Sequence, residues 1–366
     1  MKSILYISLA DWCWIKQRPQ HFCEIMSELN YEIEYFCKRP WRKIGKCLEG
    51  FRNNSSVKII RQRILPYESR YRIIEKINNL IIRRKIKHMV KKKYEYIILT
   101  HPNQINFLTH NIIEENKIIY DCMDNYKELF KNNIYRSNLV PREKALINCT
   151  TKIVASSETI KENLIKAYGA KEQYIKVINN GVDLKNFNID LHGKNAVLNN
   201  MNKKVGYIGT VSNWFDVDIL KFAALKKPNI DFYVIGPIMQ DCKIKLQVKN
   251  ISNIYLAGAE DYRNLPIVLN NLDVAIMPFK LNKLIECVNP VKIYEYLAMN
   301  KPVVAVRYKE TEKFKDLIYL YSNKEEFIEK LNKALSERVI YTSRRDYALK
   351  NSWEYRVKEF IKFIEE

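Results

Sequence analysis

Lys292 and Glu295 stand three residues apart in the stretch Asn289-Pro290-Val291-Lys292-Ile293-Tyr294-Glu295-Tyr296-Leu297-Ala298-Met299-Asn300-Lys301-Pro302. Proline suits a first helical turn, where its missing N–H would have no acceptor anyway, so a helix is expected to begin at Pro290. Asparagine tolerates a left-handed cap and proline cannot continue a helix, which sets the stop at Asn300. The start of such a helix carries free N–H groups and about half a positive charge, a setting for phosphate. Lys292 adds a full charge there. Glu295, on the same face one turn down, can accept hydrogen bonds from a sugar hydroxyl. The plain alternative is an amphipathic helix with one surface lysine and one surface glutamate.

Other residues offer related chemistry. Gly209-Thr210-Val211-Ser212 follows an apolar run, so its backbone can approach a ligand and its hydroxyls can donate. Gly236 and Gly258 end two further apolar runs and serve equally well as ligand approaches or tight turns. His101, Asp121 and Asp124 each follow a strand-like run, and any one of them can take a proton from a hydroxyl. A hydrogen-bonded structural histidine and a helix-capping Asp124 are the alternatives. Near the N-terminus, Asp11-Trp12-Cys13-Trp14-Ile15-Lys16-Gln17-Arg18-Pro19 puts Asp11, two indoles and the Arg18 guanidinium in one loop, which suits a sugar or phosphate acceptor. Asp216-Val217-Asp218 matches an acidic metal-binding spacing, but acids in a first helical turn need no ligand. No metal is expected.

These residues need elements to hold them. Apolar runs alternate with helical patterns through all 366 residues, which indicates parallel sheets covered on both faces. Strands are expected at Ile4–Ser8, Ile33–Phe36, Val57–Ile60, Tyr96–Leu99, Lys117–Tyr120, Ile153–Ala155 and Tyr174–Ile178. A second set is expected at Lys204–Ile208, Asp231–Ile235, Asn253–Leu256, Val274–Met277, Val303–Val306 and Leu317–Tyr319. The length predicts two domains, 1–190 and 203–342, joined by a polar stretch. Ser343 to Glu366 reads as one long helix.

Composition narrows the setting. No run of 18 uncharged apolar residues occurs, and the first strand is too short for a signal peptide. Eight scattered cysteines without Cys-x-x-Cys spacing argue against zinc and for a reducing cytoplasm. The formal net charge of +21 is uneven, with basic runs at Lys38 to Lys46, Arg61 to Arg72 and Arg83 to Lys93. Tyr71 to Tyr94 mixes isoleucines with those cations, so this helix can lie on an anionic membrane or pack on its own sheet with a solvated basic face.

Pro290-Val291-Lys292-Ile293-Tyr294-Glu295 resembles the donor-site helix of GT-B glycosyltransferases, family 4 in particular. The resemblance implies α/β architecture, with two doubly wound, Rossmann-like parallel-sheet domains facing across a cleft. It also implies that the last helix returns to the first domain. Donor contacts would come from Gly209, Thr210, Ser212, Gly236, Gly258, Pro290, Val291, Lys292 and Glu295, with Glu295 on the ribose. Family members often carry another acid eight positions before that glutamate; here Cys287 stands there, with Glu286 one place out of register. The N-terminal Asp-Trp…Gln-Arg-Pro-Gln run, Tyr120-Asp121-Cys122-Met123-Asp124 and Ser156-Ser157-Glu158 are similar to glycosyltransferases of the teichuronic-acid type, which build bacterial envelope polysaccharide.

The resemblance implies transfer of a sugar from a nucleotide diphosphate, UDP by family habit, with retention and without metal or other cofactor. The acceptor would be a hydroxyl of a glycan or polyprenyl-diphosphate-linked chain. Catalytic candidates are His101, Asp121, Asp124 and Lys292; acceptor candidates are Asp11, Trp12, Trp14 and Arg18. The expected location is cytoplasmic, at the inner face of the plasma membrane. Alternatives are a nucleotide-sugar 2-epimerase of the same fold, an inactive scaffold, and a basic nucleic-acid-binding protein. The last lacks any recognisable nucleic-acid module, so no nucleic-acid partner is expected.

Overall fold

The computed structural model describes residues 2–13, 15–40, 56–130, 136–189, 198, 201–240, 242–337 and 342–366. Trp14 and positions 41–46 of the first basic run lie outside that set. The chain divides into two compact units, Met1–Asn179 with Arg356–Glu366, and Asn180–Tyr355.

The first unit holds β1 (Ser3–Ser8), β2 (Glu32–Pro40), β3 (Lys58–Ile64), β4 (Tyr96–Leu99), β5 (Lys117–Cys122), β6 (Lys152–Ala155) and β7 (Ile175–Val177). They form one parallel sheet in the order β3-β2-β1-β4-β5-β6-β7. The second unit holds β8 (Lys203–Ile208), β9 (Ile230–Ile235), β10 (Ile254–Gly258), β11 (Val274–Met277), β12 (Val303–Val306) and β13 (Tyr319–Tyr321). Its parallel order is β10-β9-β8-β11-β12-β13. Both are doubly wound sheets whose order reverses beside the first strand. Ligands of such sheets sit off the carboxyl ends at that reversal, here β1/β4 and β8/β11.

Central strands are apolar along their whole length because helices cover both faces. Ile4 to Ile7, Val274 to Met277 and Val303 to Ala305 are all fully buried.

Two expectations about domain limits change. Residues 180–189 belong with the second unit rather than the first. The expected single C-terminal helix is two, Thr342–Leu349 and Trp353–Glu365. The break has a cause: Val182 donates to Asn351 O at 3.1 Å and accepts from Trp353 N at 3.0 Å, which holds Ser352 in a bridge between the two helices. Thr342–Leu349 stays in the second unit, where Tyr347 stacks on Tyr294 and Arg345 donates to Ala298 O at 3.0 Å. Trp353–Glu365 begins there, and from Arg356 on it belongs to the first unit. Phe360 packs edge-on against Phe22, and Glu365 pairs with Lys2 at 2.6 Å.

The helix Arg72–Met89 buries Ile82, Ile86 and Met89, so this face packs on the unit as the sheet-packing alternative expected. Ile73, Ile77 and Leu80 are exposed.

Candidate active site

The helix after β11 runs Val291–Ala298, with Pro290 as its N-cap rather than its first turn. It ends as the sequence implies. Asn300 adopts φ +52°, and the N–H groups of Asn300 and Lys301 close on Leu297 O and Tyr296 O, a Schellman stop. The helix is fixed to the sheet by Tyr296, whose hydroxyl accepts from Ile208 N at 3.0 Å at the end of β8. Glu295 is therefore held beside the β8 loop, close enough for its charge to act on Tyr207.

Lys292 Nζ lies 2.8 Å from Glu295 Oε2. Glu295 is 3% exposed. Burial raises its carboxyl above the usual range, Lys292 opposes the rise, and nearby Asp183 adds to it. Of the first N–H groups of this helix, that of Ile293 turns back on Pro290 O at 3.2 Å, and the opening ones look outside the helix for acceptors, as in any helix. A buried carboxylate, a lysine that reaches solvent and the opening helical N–H groups thus converge within one turn.

Three glycines stand at the ends of the neighbouring strands β8, β9 and β10. Gly236 N donates to Gly258 O at 2.6 Å, and Gly209 N donates to Ile235 O at 2.9 Å. A Cβ on Gly236 would sit 2.0 Å from Gly209 O, so only glycine fits between these strand ends. Beyond Gly209 the loop stays paired: Val211 N donates to Pro237 O and accepts from Met239 N, both at 2.9 Å. Thr210 is half-buried and Ser212 is buried. Asp216 caps the helix Val217–Lys226, its Oδ1 accepting from Asp218 N at 3.1 Å and Ile219 N at 3.2 Å. Cys287 is buried with its thiol on Lys283 O, whereas Glu286 is exposed.

The first unit reassigns several expected roles. Asp121 is wholly buried. Its carboxylate accepts from Arg18 Nε at 3.1 Å and from the Tyr6 hydroxyl at 3.0 Å, and the Arg18 charge is paired with it at a closest approach of 3.0 Å. Arg18 is 4% exposed and also donates to Ile178 O at 2.8 Å. Asp121 as a base and Arg18 as an acceptor contact are both corrected: these two groups are consumed in a buried pair that ties the first helix to β5. Trp12 as an acceptor platform is corrected too, because its ring is 1% exposed and packs edge-on against Tyr35. Asp11 stays at the surface edge, tied to Arg61 at 3.2 Å.

His101, at the end of β4, is 2% exposed, and burial lowers its pKa to about 3, with Lys38 and Arg142 adding to the shift. Its Nδ1 accepts from Asn103 N at 3.1 Å, so Nε2 carries the proton, and Nε2 has no partner among the described residues. A general-base role at His101 is corrected to that of an N–H donor. Asp124 differs from both. Burial raises its carboxyl to about 7. It lines a small cavity with Cys122, Glu143 and Tyr168. The neighbouring helix is capped by Asn125, not by Asp124.

Residues 202–337 match the family model described as Glycosyl transferases group 1, and residues 81–186 match Glycosyltransferase Family 4. The chain is a glycosyltransferase with the GT-B fold. A Bacillus subtilis protein named as a teichuronic acid biosynthesis glycosyltransferase, TuaH, is 25% identical over 281 residues, which cover 70% of this chain and 68% of that one. Among solved structures, a sucrose-phosphate synthase from Thermosynechococcus elongatus gives a TM-score of 0.78 at 12% identity, over 100% of this chain and 98% of that one. Anabaena Alr3699/HepE in complex with UDP and glucose gives 0.73 at 12% identity, over 100% of both chains. At these identities the structural likeness speaks for the fold alone.

One part of this arrangement escapes a reading by motif. Asn289 Oδ1 accepts from Asn180 N, and Asn180 Nδ2 donates to Asn289 O, both at 2.8 Å. The turn at Asn180, which reads only as the entry to a linker, is therefore clamped onto the start of the helix Val291–Ala298. Its one sequence signal is the Asn-Pro step at Asn289-Pro290, a turn opener beside a helix start.

Proposed function

We propose that this glycosyltransferase transfers a sugar from a nucleoside diphosphate donor, a UDP-sugar, to a hydroxyl of a lipid-linked or growing cell-envelope glycan. The observation that carries the reading is the Lys292–Glu295 pair at the start of a helix beside the β8/β11 reversal. The donor diphosphate takes Lys292 Nζ and the first helical N–H groups in place of Glu295. Glu295, released, accepts from the ribose hydroxyls. Charge develops on the departing diphosphate as the sugar–oxygen bond breaks, and fixed donors aimed there stabilise it without reorganising at that moment. With retention, the acceptor oxygen bonds to the sugar carbon on the face the diphosphate leaves.

In the first unit, His101 offers its Nε2–H to a substrate oxygen. Asp124, raised to about 7, takes the acceptor proton near neutral pH. The acceptor is presented at the inner face of an anionic membrane. No helix among the described residues is long and apolar enough to cross one. The test is incubation with UDP-sugars, with and without envelope glycan acceptor. Acceptor-dependent release of UDP supports the reading. A 2-epimer formed from donor alone hands the site to an epimerase.

A further inference from the structure

Six of the eighteen large apolar side chains exposed among the described residues fall between Leu65 and Leu80: Leu65, Tyr67, Tyr71, Ile73, Ile77 and Leu80. Scattered surface hydrophobics are ordinary, but a concentrated patch marks an interaction surface. This one occupies the corner from β3 into the helix Arg72–Met89. The helix has two distinct faces. Glu75, Asn78, Ile82, Ile86 and Met89 point inward. Ile73, Ile77 and Leu80 recur at the same spacing on the opposite side, and Arg84, Lys87 and Lys91 continue that line.

The corner is built rather than loose. Asn78 is fully buried, yet it spends its side chain on this loop. Its Oδ1 takes Leu65 N at 2.8 Å, and its Nδ2 gives to Leu65 O at 3.1 Å and to Glu68 Oε2 at 2.9 Å. Glu68 is held in turn by Lys38 at 3.1 Å. The turn so clamped displays Tyr67 at φ +64°, 57% exposed, a left-handed conformation that is strained for a bulky residue. A buried asparagine thus holds an aromatic ring out into solvent.

The charge around the patch is of one sign. Arg84, Lys87 and Lys91 are exposed, with no acidic partner among the described residues. On the strand side Arg39 and Arg63 are register partners across β2 and β3, both exposed and likewise without an acid. The nearby acids are spent elsewhere, Glu75 on Arg142 and Glu68 on Lys38.

We infer that the β3 corner and the outward face of this helix are a docking surface for an anionic lipid bilayer. Leu65, Tyr67, Ile73, Ile77 and Leu80 enter the boundary between headgroups and acyl chains, and the flanking arginines and lysines take lipid phosphates. The inference rests on the proposed function only for its purpose, bringing the first unit to a lipid-borne acceptor. Binding is read without donor or acceptor, so failure of one leaves the other standing.

The experiment is flotation of the full chain with vesicles of phosphatidylcholine alone and of phosphatidylcholine with about one third phosphatidylglycerol. Binding is expected on the anionic vesicles and falls as salt rises. R84Q/K87Q/K91Q should weaken it about a hundredfold, since each cation near an anionic surface contributes several-fold. Y67S/I73S/I77S should abolish the fraction that survives high salt while leaving UDP-sugar turnover in solution unchanged. K221Q/K245Q/K249Q, an equal charge change in the second unit, should behave as the parent. Equal loss in both charge variants would reduce the effect to net charge and overturn the docking face. A concentration-dependent dimer in sedimentation, lost in Y67S/I73S/I77S, would overturn it in favour of a second copy.

Discussion

Lys292 Nζ lies 2.8 Å from Glu295 Oε2, one turn apart on a helix whose next residue, Tyr296, is hydrogen-bonded to the end of β8. The pair is asymmetric, with 4% of the glutamate side chain exposed against 26% of the lysine's. The lysine is free to turn toward an incoming anion while the carboxylate stays in place. Lys292→Ala is therefore expected to lower turnover with a UDP-sugar by about 10²–10³-fold, the range for removing one preorganised charge donor. Steady-state kinetics check this. A loss under threefold would contradict the assignment.

Gly236→Ala should cost far more stability than Gly258→Ala. The first places a methyl 2.0 Å from Gly209 O, a backbone atom that cannot rotate away. The second meets nothing within 4 Å and bears only the strain of φ +78°, about 1 kcal/mol. Urea denaturation should separate them by several kcal/mol. Near-equal midpoints would show that the strand ends are looser than described.

Asp121→Asn and Asp124→Asn should fail in different ways. Asp121 compensates the buried Arg18, and removing one partner of a buried pair costs about 3–5 kcal/mol. That variant should unfold readily. Asp124→Asn should fold and lose transfer. Thermal melts alongside activity distinguish them, and a stable, inactive Asp121→Asn would restore the base role to that residue.

Asp124 also sets a pH dependence. Its folded pKa is about 7, above the value of about 3.9 for an unfolded chain. Between those values the folded protein holds a proton the unfolded chain has lost. Stability from this site is present below about pH 4 and is lost as pH rises through 7. Asp124→Asn, which cannot ionise, should gain stability relative to the parent at pH 8 but not at pH 4. Equal differences at both pH values would show an unperturbed carboxyl. Transfer by the parent should rise with pH through about 7.

Much of the fold is legible because a doubly wound sheet writes itself as short apolar runs. Tyr96–Leu99, Val274–Met277 and Val303–Val306 end where the sequence says they should. The helix at Val291–Ala298 is legible for the same reason, with proline before it and asparagine after. What the sequence conceals is pairing at a distance. Arg18 and Asp121 are 103 positions apart, and nothing local distinguishes a buried guanidinium from one that meets a ligand. Trp12 reads as a sugar platform until Tyr35 covers it. The break at Ser352 is hidden likewise, since Val182, which bridges to it, belongs to a distant turn. Burial also separates three acid–base candidates of similar appearance into a consumed Asp121, an N–H-donating His101 and a perturbed Asp124.

Calorimetric titration of UDP and UMP into the parent, Lys292→Ala and Glu295→Ala tests the donor site most directly. The parent should bind UDP at least tenfold more tightly than UMP, since the β-phosphate meets Lys292 and the helix start. Lys292→Ala should lose that preference, and Glu295→Ala should weaken both nucleotides about equally through the ribose. Equal binding of UDP by all three proteins, or none by the parent, would contradict a diphosphate site at the start of this helix.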